Sequence, residues 1–366
     1  MTLNRSRILS LTSLMKERGW DLLLFYGHTW RKDFFRYVIN FNFAGPHIVA
    51  ALSRDGQLQL VVSDPWDGEA AAPLFDQPVV LSRDFAAGIK QLVAQVGKSA
   101  VAIAGMEMMP AGFVASICRP SGKAPVSATA DIEDMRRVKG ADEIERLKKA
   151  AGLADRGYHY FAQTAAIGMA EYELVAHVEG FLKANGAEDN FMLIASGGTE
   201  VTGMRPPTDR KLQRGDFLIT ELTPQVDGYF AQICRTLVLG EPSPEQLQSF
   251  AIFSEAQKAA EDLIRPGVDV ADVARVQNDV FRKFGYGEYT GSKYTRVRGH
   301  NLGLHPDETP YILEDVHYIL KKDMVVIAHP NTYLPLGGYM VFGDSLLVTG
   351  DGCVCLNKTE RKLFRK

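Results

Sequence analysis

The sequence predicts an α+β protein of two domains: a smaller α/β domain, then a larger one in which an antiparallel sheet is backed by helices. Three observations carry this. The first third alternates helical and strand patterns; a Pro-, Gly- and Ser-rich stretch, RPSGKAPVSATAD, follows it; beyond that stretch helices and strands come in separate runs. At 366 residues the chain exceeds what one core usually supports, so size alone suggests two domains. The boundary is placed near Gly122–Ala130, giving domains of residues 1–125 and 130–366.

The first domain opens with an amphipathic helix in MTLNRSRILSLTSLMKERGW, followed by the strand DLLLFYG. In HIVAALSRDGQLQLVVS, Asp55-Gly56 between apolar runs marks a hairpin. The strand QPVVLS, a helix near Phe85–Val96, the strand VAIAG and a helix ending before Pro120 complete it. The second domain begins with one long helical region from Asp131, in which Ile144, Leu147, Ala151, Ala154, Tyr158 and Phe161 recur at helical spacing. The helix AEYELVAHVEGFLKANG stops at Gly186, and FMLIASGG reads as a strand. Two helices follow Ser243 and Asp269, and strands return at MVVIAHP, GYMVFGDSLLVTG and CVCLN.

Composition excludes several function classes. Hydrophobic residues make up 46% and charged residues 23%, and the formal net charge of −3 offers no electrostatic case for nucleic acid or an anionic membrane. No apolar run is long enough to span a bilayer, and the opening helix carries Glu17 without the apolar core and cleavage site of a signal peptide, so cytoplasmic residence is expected. Cys118, Cys234, Cys353 and Cys355 match neither a disulfide framework nor a zinc site and are read as small apolar fillers.

The informative stretch is Gly215–Gly240, GDFLITELTPQVDGYFAQICRTLVLG, which reads as a hairpin with its turn at Thr223–Gly228. Glu221 sits among Phe217, Leu218, Ile219 and Leu222, and Gln232 between Phe230 and Ile233. A buried carboxylate is costly unless paired. Either residue alone fits a half-exposed strand; both near one hairpin end point to a lined pocket. Later stretches bring His300, His305, Asp307, Glu308, His329 and Asp344 to the borders of apolar strands. One such histidine is more often structural, whereas several at separate strand ends favour a site.

These segments, in this order, resemble the pita-bread family of creatinase, prolidase, aminopeptidase P and methionine aminopeptidase. The resemblance covers nearly the whole chain: a creatinase-like N-terminal domain, the entry helix DIEDMRRVKGADEIERLKKA, the loop PTDRKLQRGD, the hairpin DGYFAQICRT, the turn GHNLG and the strand DMVVIAHP. It implies a pita-bread C-terminal domain. In members of this kind the hairpin supplies two aspartates, the turn a histidine and the last two strands a glutamate each, and these five hold two metal ions. The present chain departs from that set. Glu221 and Gln232 fall on the two aspartates, His329 and Gly343 on the two glutamates, with Asp344 beside the latter, and only His300 matches. The substrate-loop histidine falls on Met204 and the second histidine after the turn on Asp307. Neutral Gln232 cannot bridge two cations and Gly343 has no side chain, so a dinuclear centre is not expected.

The resemblance leaves three readings. The first, closest to the metal-independent creatinase-like branch, is a hydrolase of a small amide, amidine or cyclic C–N substrate without any cofactor. There His300, Glu221 and His329 are the catalytic candidates, and Gln232, Tyr229, Arg235, Met204 and Asp307 bind substrate. The second keeps one divalent transition metal ion on Glu221, His300 and His329. The third is a peptidase-like binding protein without catalysis. A homodimer is implied by family likeness, in which Arg31, Lys32 and Arg36 are candidates to meet a substrate carboxylate in the partner's pocket; a solvated charged loop explains them equally well. Partners are confined to a small-molecule substrate and a second copy, with no nucleic acid and no membrane.

Overall fold

The computed structural model describes residues 5–75, 79–95 and 99–366. It divides into two compact units, Met1–Arg136 and Arg137–Lys366. The division falls later than the glycine- and proline-rich stretch suggests. The helix Thr129–Arg137 that follows that stretch buries Ile132 and Arg136, and Arg136 pairs with Asp33 at 2.8 Å.

In the first unit, helix α1 (Arg5–Arg18) precedes β1 (Leu22–His28), α2 (Asp33–Val38), β2 (His47–Ser53) and β3 (Leu58–Val62). Then come α3 (Pro65–Ala71), β4 (Val79–Leu81), α4 (Phe85–Gln95), β5 (Val101–Ala104), α5 (Ala111–Ser121), β6 (Val126–Ser127) and α6 (Thr129–Arg137). The strands form one six-stranded sheet in the order β4-β3-β2-β1-β5-β6. Residues 1–4 of the opening helix, Gln77 and Pro78 of the expected strand and Val96 of the expected helix lie outside the described residues. Helix α5 does not stop before Pro120; it runs to Ser121 and closes on Gly122, whose φ of 72° is a left-handed conformation that glycine adopts without a Cβ clash.

The second unit begins with α7 (Ala141–Thr164), α8 (Glu171–Ala184), β7 (Asp189–Gly197), β8 (Phe217–Val226), β9 (Tyr229–Phe230) and β10 (Ile233–Val238). It continues through α9 (Pro244–Leu263), α10 (Val270–Lys283), β11 (Gly299–Asn301), β12 (Glu308–Tyr311) and β13 (Val325–Ala328). The last strands are β14 (Thr332–Leu334), β15 (Gly338–Met340), β16 (Gly343–Val348), β17 (Cys353–Cys355) and β18 (Phe364–Arg365). The expected single helical region is two helices. Between them Val138 bridges Met324 and the Lys139 N–H donates to Asp323 O at 2.9 Å, drawing the chain into extended pairing before Gly140 restarts the helix. A capping box sets that restart, with Glu143 Oε2 accepting from the Gly140 N–H at 2.8 Å.

The large sheet runs β12-β11-β13-β16-β10-β8-β7, with β17, β18 and β9 paired to β16, β10 and β8. The strand period of two sorts its residues onto two faces. Leu218, Leu222, Ile233 and Leu237 pack with Leu153, Tyr158, Phe161 and Val178 of α7 and α8. Val326, Ala328 and Leu346 pack with Val270, Val273 and Ala274 of α10. The intervening positions, Glu221, Cys234, Gly343, Ile327 and His300, are cross-strand neighbours in the registers Cys234↔Glu221, Cys234↔Gly343 and His300↔Ile327. They share the face away from the helices, where the candidate site is built.

Candidate active site

A cavity of about 240 Å³ opens on that face. Its lining includes Glu221 of β8, Gln232 in the short link between β9 and β10, His300 of β11, His329 just beyond β13, and Asn331, Thr295, Tyr339, Met204 and Asp307 from the adjoining segments. The registers above explain the gathering: residues far apart in sequence become neighbours once the strands align. Gly299 is required for it. Its φ is 145°, and a Cβ there would lie 2.0 Å from Ile327 O, so only glycine lets β11 approach β13 closely enough to place His300.

His300 is buried, with Nδ1 3.0 Å from Asn301 O and 3.6 Å from Asp307 Oδ1. A carbonyl only accepts, so Nδ1 is the donor, and in the neutral ring Nε2 keeps a lone pair for the cavity. The His329 ring stands edge-on to that of His300, with centroids 5.4 Å apart. Burial holds both imidazoles below the usual histidine range, partly offset at His300 by Asp307. His329 lies well below it, with the His300 charge adding to the burial effect. Glu221 is pushed the other way, to about 7, chiefly by burial and further by Asp307, against the hydrogen bonds from Cys234 and Asn331. Its Oε1 accepts from Asn331 Nδ2 at 2.7 Å and faces Cys234 Sγ at 3.7 Å, and Gln232 Nε2 lies 3.4 Å from the same sulfur. Near neutral pH the cavity therefore holds two uncharged imidazoles and a carboxyl group close to its midpoint.

Of the expected site residues, Glu221, Gln232, His300, His329, Met204 and Asp307 meet here. Tyr229 and Arg235 do not. Tyr229 donates its hydroxyl to Glu143 Oε1 of α7 at 2.9 Å. Arg235 alternates with Cys234 and so lies on the helix side, fully buried, its Nη2 2.7 Å from Asp344 Oδ1. Asp344 also pairs with Arg361 at 2.9 Å and cannot stand in for the carboxylate missing at Gly343, because adjacent strand residues face opposite ways. In the first unit Arg31 pairs with Asp33, Lys32 donates to Asn42 and to Phe43 O, and Arg36 donates to Asn40.

Asn331, Tyr339 and Thr295 escaped the sequence reading. Asn331 had a signal, since it stands two residues beyond His329 and shares its face. Tyr339 and Thr295, joined through their hydroxyls at 2.6 Å, carried none. Met204 rides a loop moored by buried Glu171, which accepts from the N–H and hydroxyl of Ser196 at 2.9 and 2.6 Å and of Thr208 at 3.0 and 2.7 Å.

The architecture defines a class, a curled antiparallel sheet with helices on its outer face, preceded by a small α/β unit: the pita-bread fold. A family model described as metallopeptidase family M24 matches residues 145–350, and the chain belongs to that family. It is 32% identical over 235 residues to an Xaa-Pro dipeptidase of Pyrococcus furiosus, covering 64% of this chain and 66% of that protein. With an Xaa-Pro dipeptidase of Pyrococcus horikoshii the identity is 31% over 259 residues, covering 70% and 73%. The crystal structure of recombinant prolidase from Thermococcus sibiricus superposes with a TM-score of 0.86 at 26% identity over the full length of both chains. These likenesses run to the prolidase side of the family and give no support to the creatinase-like branch favoured by the sequence reading.

The residues present do not fit the two-metal centre that the family name implies. Gly343 offers no ligand, Gln232 is neutral, and the Asp344 carboxylate is turned to two arginines. Among the described residues no group of three or more His, Cys, Asp or Glu side chains is arranged to hold a metal ion. The single-ion alternative on Glu221, His300 and His329 therefore has one cavity but no ligating cluster.

Proposed function

We propose that this chain hydrolyses the amide C–N bond of a small peptide-like substrate, with His300 as the base and without the metal pair of its family. The observation that carries the reading is the fixed tautomer of His300: Nδ1 is anchored on Asn301 O, and Nε2 is left as a buried acceptor kept neutral at pH 7. Nε2 takes a proton from water as the water oxygen bonds to the carbonyl carbon. Asp307, 3.6 Å away, steadies the imidazolium. Glu221, protonated up to about pH 7, donates a hydrogen bond to the carbonyl oxygen as it gains charge. The imidazolium then protonates the leaving nitrogen as the C–N bond breaks, yielding an amine and a carboxylic acid. The names of the relatives, Xaa-Pro dipeptidases, support short peptides with proline in second position as the first substrates to try. A cytoplasmic homodimer belongs to the same proposal.

The test is turnover of Xaa-Pro dipeptides and their amides by protein purified without added metal and treated with a chelator. Activity should survive the chelator, and His300→Ala should lower kcat/KM by about 10²- to 10⁴-fold. Activity lost to the chelator and restored by a divalent ion, or unchanged in His300→Ala, overturns the proposal. Ligand binding with no turnover would support the non-catalytic reading, which the apolar Met204 on the covering loop favours.

A further inference from the structure

The ionisable side chains of the cavity are unevenly divided by charge. Among the described residues no lysine or arginine lines it, whereas two carboxyl groups do: Glu221 within, and Asp307, whose side chain is 51% exposed, at the mouth. Several donors are already engaged. Asn331 Nδ2 serves Glu221, Gln232 Nε2 serves Cys234 Sγ, and one of the Thr295 and Tyr339 hydroxyls donates to the other. The acceptors open to a ligand are His300 Nε2, the Gln232 carbonyl and the Asp307 carboxylate, joined by the second oxygen of Glu221 once that group ionises, while the donors that remain, on His329, Asn331 and Gln232, carry no charge. Arg298 adjoins this wall but does not line the cavity. It is fully buried, donating Nε to Asn278 at 2.6 Å and Nη1 to the carbonyls of Thr295 and Asn331 at 2.7 and 3.0 Å. Arg235 is committed to Asp344 on the opposite face of the sheet.

We infer that the ligand of this cavity presents amine or amidine N–H donors and carries no free carboxylate. The inference deepens the proposed function and rests on it for the cleaved bond. An ionised carboxylate accepts hydrogen bonds and cannot donate them, so here it would lose its hydration with no cation to receive it and would lie against like charge. An ammonium supplies three donors and an amidinium about as many, each matched by an acceptor already in place. A dipeptide with a free C-terminus is therefore a poor fit, and the same dipeptide with its C-terminus amidated a good one.

The experiment compares Ala-Pro with Ala-Pro-amide on the full-length protein at pH 7, measuring binding by calorimetry and cleavage by chromatography. The amide should bind at least about tenfold more tightly. Asp307→Lys, a change at a half-exposed position, should reverse the order by giving the carboxylate a partner. Tighter binding of the amide with cleavage of neither compound leaves this inference standing and removes the hydrolase reading. Equal or tighter binding of the free acid by the unaltered protein, binding of neither, or an Asp307→Lys protein that keeps the original order overturns the inference.

Discussion

Replacing Glu221 by glutamine tests whether this carboxyl group is as isolated from charge as the geometry makes it. In the folded chain burial raises it from 4.5 to about 7. Because the folded value lies above the unfolded one, the native state keeps a proton between pH 4.5 and 7 that the unfolded chain has released, and stability falls as pH rises through that window. At about 1.4 kcal/mol per unit the loss is roughly 3 kcal/mol, complete slightly above pH 7. Glutamine can still accept from Asn331 Nδ2 at the position of Oε1, and its amide stands where the second oxygen was. Glu221→Gln should therefore match the parent near pH 4.5 and exceed it by up to about 3 kcal/mol at pH 8.5. For a unit of this size that is roughly 6–12 °C in the transition midpoint. Calorimetric scans of both full-length proteins across pH 4.5–8.5 make the comparison, and the terms from His300 and His329 cancel in the difference. If the two curves stay parallel, or the variant is the less stable at pH 8.5, Glu221 is not a desolvated, chargeable group and the account of the cavity fails. The same variant should keep activity while losing the alkaline decline that ionisation of Glu221 imposes above about pH 7.

Arg235→Ala should cost about 3 kcal/mol, because it leaves the fully buried Asp344 carboxylate with Arg361 as its remaining arginine partner; a urea-midpoint shift worth less than about 1 kcal/mol would mean the pair contributes little. Glu171→Ala removes the acceptor of four hydrogen bonds and should cost on the order of 3 kcal/mol. Because those bonds moor the loop bearing Met204, KM should rise more than kcat falls, and an unchanged KM would separate the mooring from the site.

How much could be read from the sequence follows from the strand period. Glu221 and Gln232 stood out as polar residues in apolar runs, and both line the cavity. Tyr229 and Arg235, equally polar and in the same hairpin, were assigned to it although alternation sends Arg235 to the helix side with Ile233 and Leu237. The same count, continuous from Val226↔Tyr229 to Glu221↔Cys234, puts Tyr229 with Arg235 and Gln232 with Cys234, so the alternation was legible and the polar character of Tyr229 and Arg235 outweighed it. The long helical pattern from Asp131 hid the interruption at Val138–Lys139, since that segment is pulled out by pairing with residues some 185 positions later, at Asp323 and Met324. Tyr339 and Thr295 reach the site through tertiary placement alone, which leaves no local pattern to detect.

The closeness of β13 and β16 at Gly343 bears on how this chain can change. A Cβ on Gly343 would sit 2.6 Å from Ala328 O and 2.7 Å from His329 Cβ. Any side chain introduced there must first displace the backbone that carries His329. Substitutions at 329 and 343 are therefore tied together in evolutionary time: an acidic residue acquired at 343 alone would be selected against for its effect on folding before it conferred any ligand. A route from this cavity to an acidic cluster runs through at least one intermediate worse than either end, so the present arrangement is held by the order in which mutations must arrive.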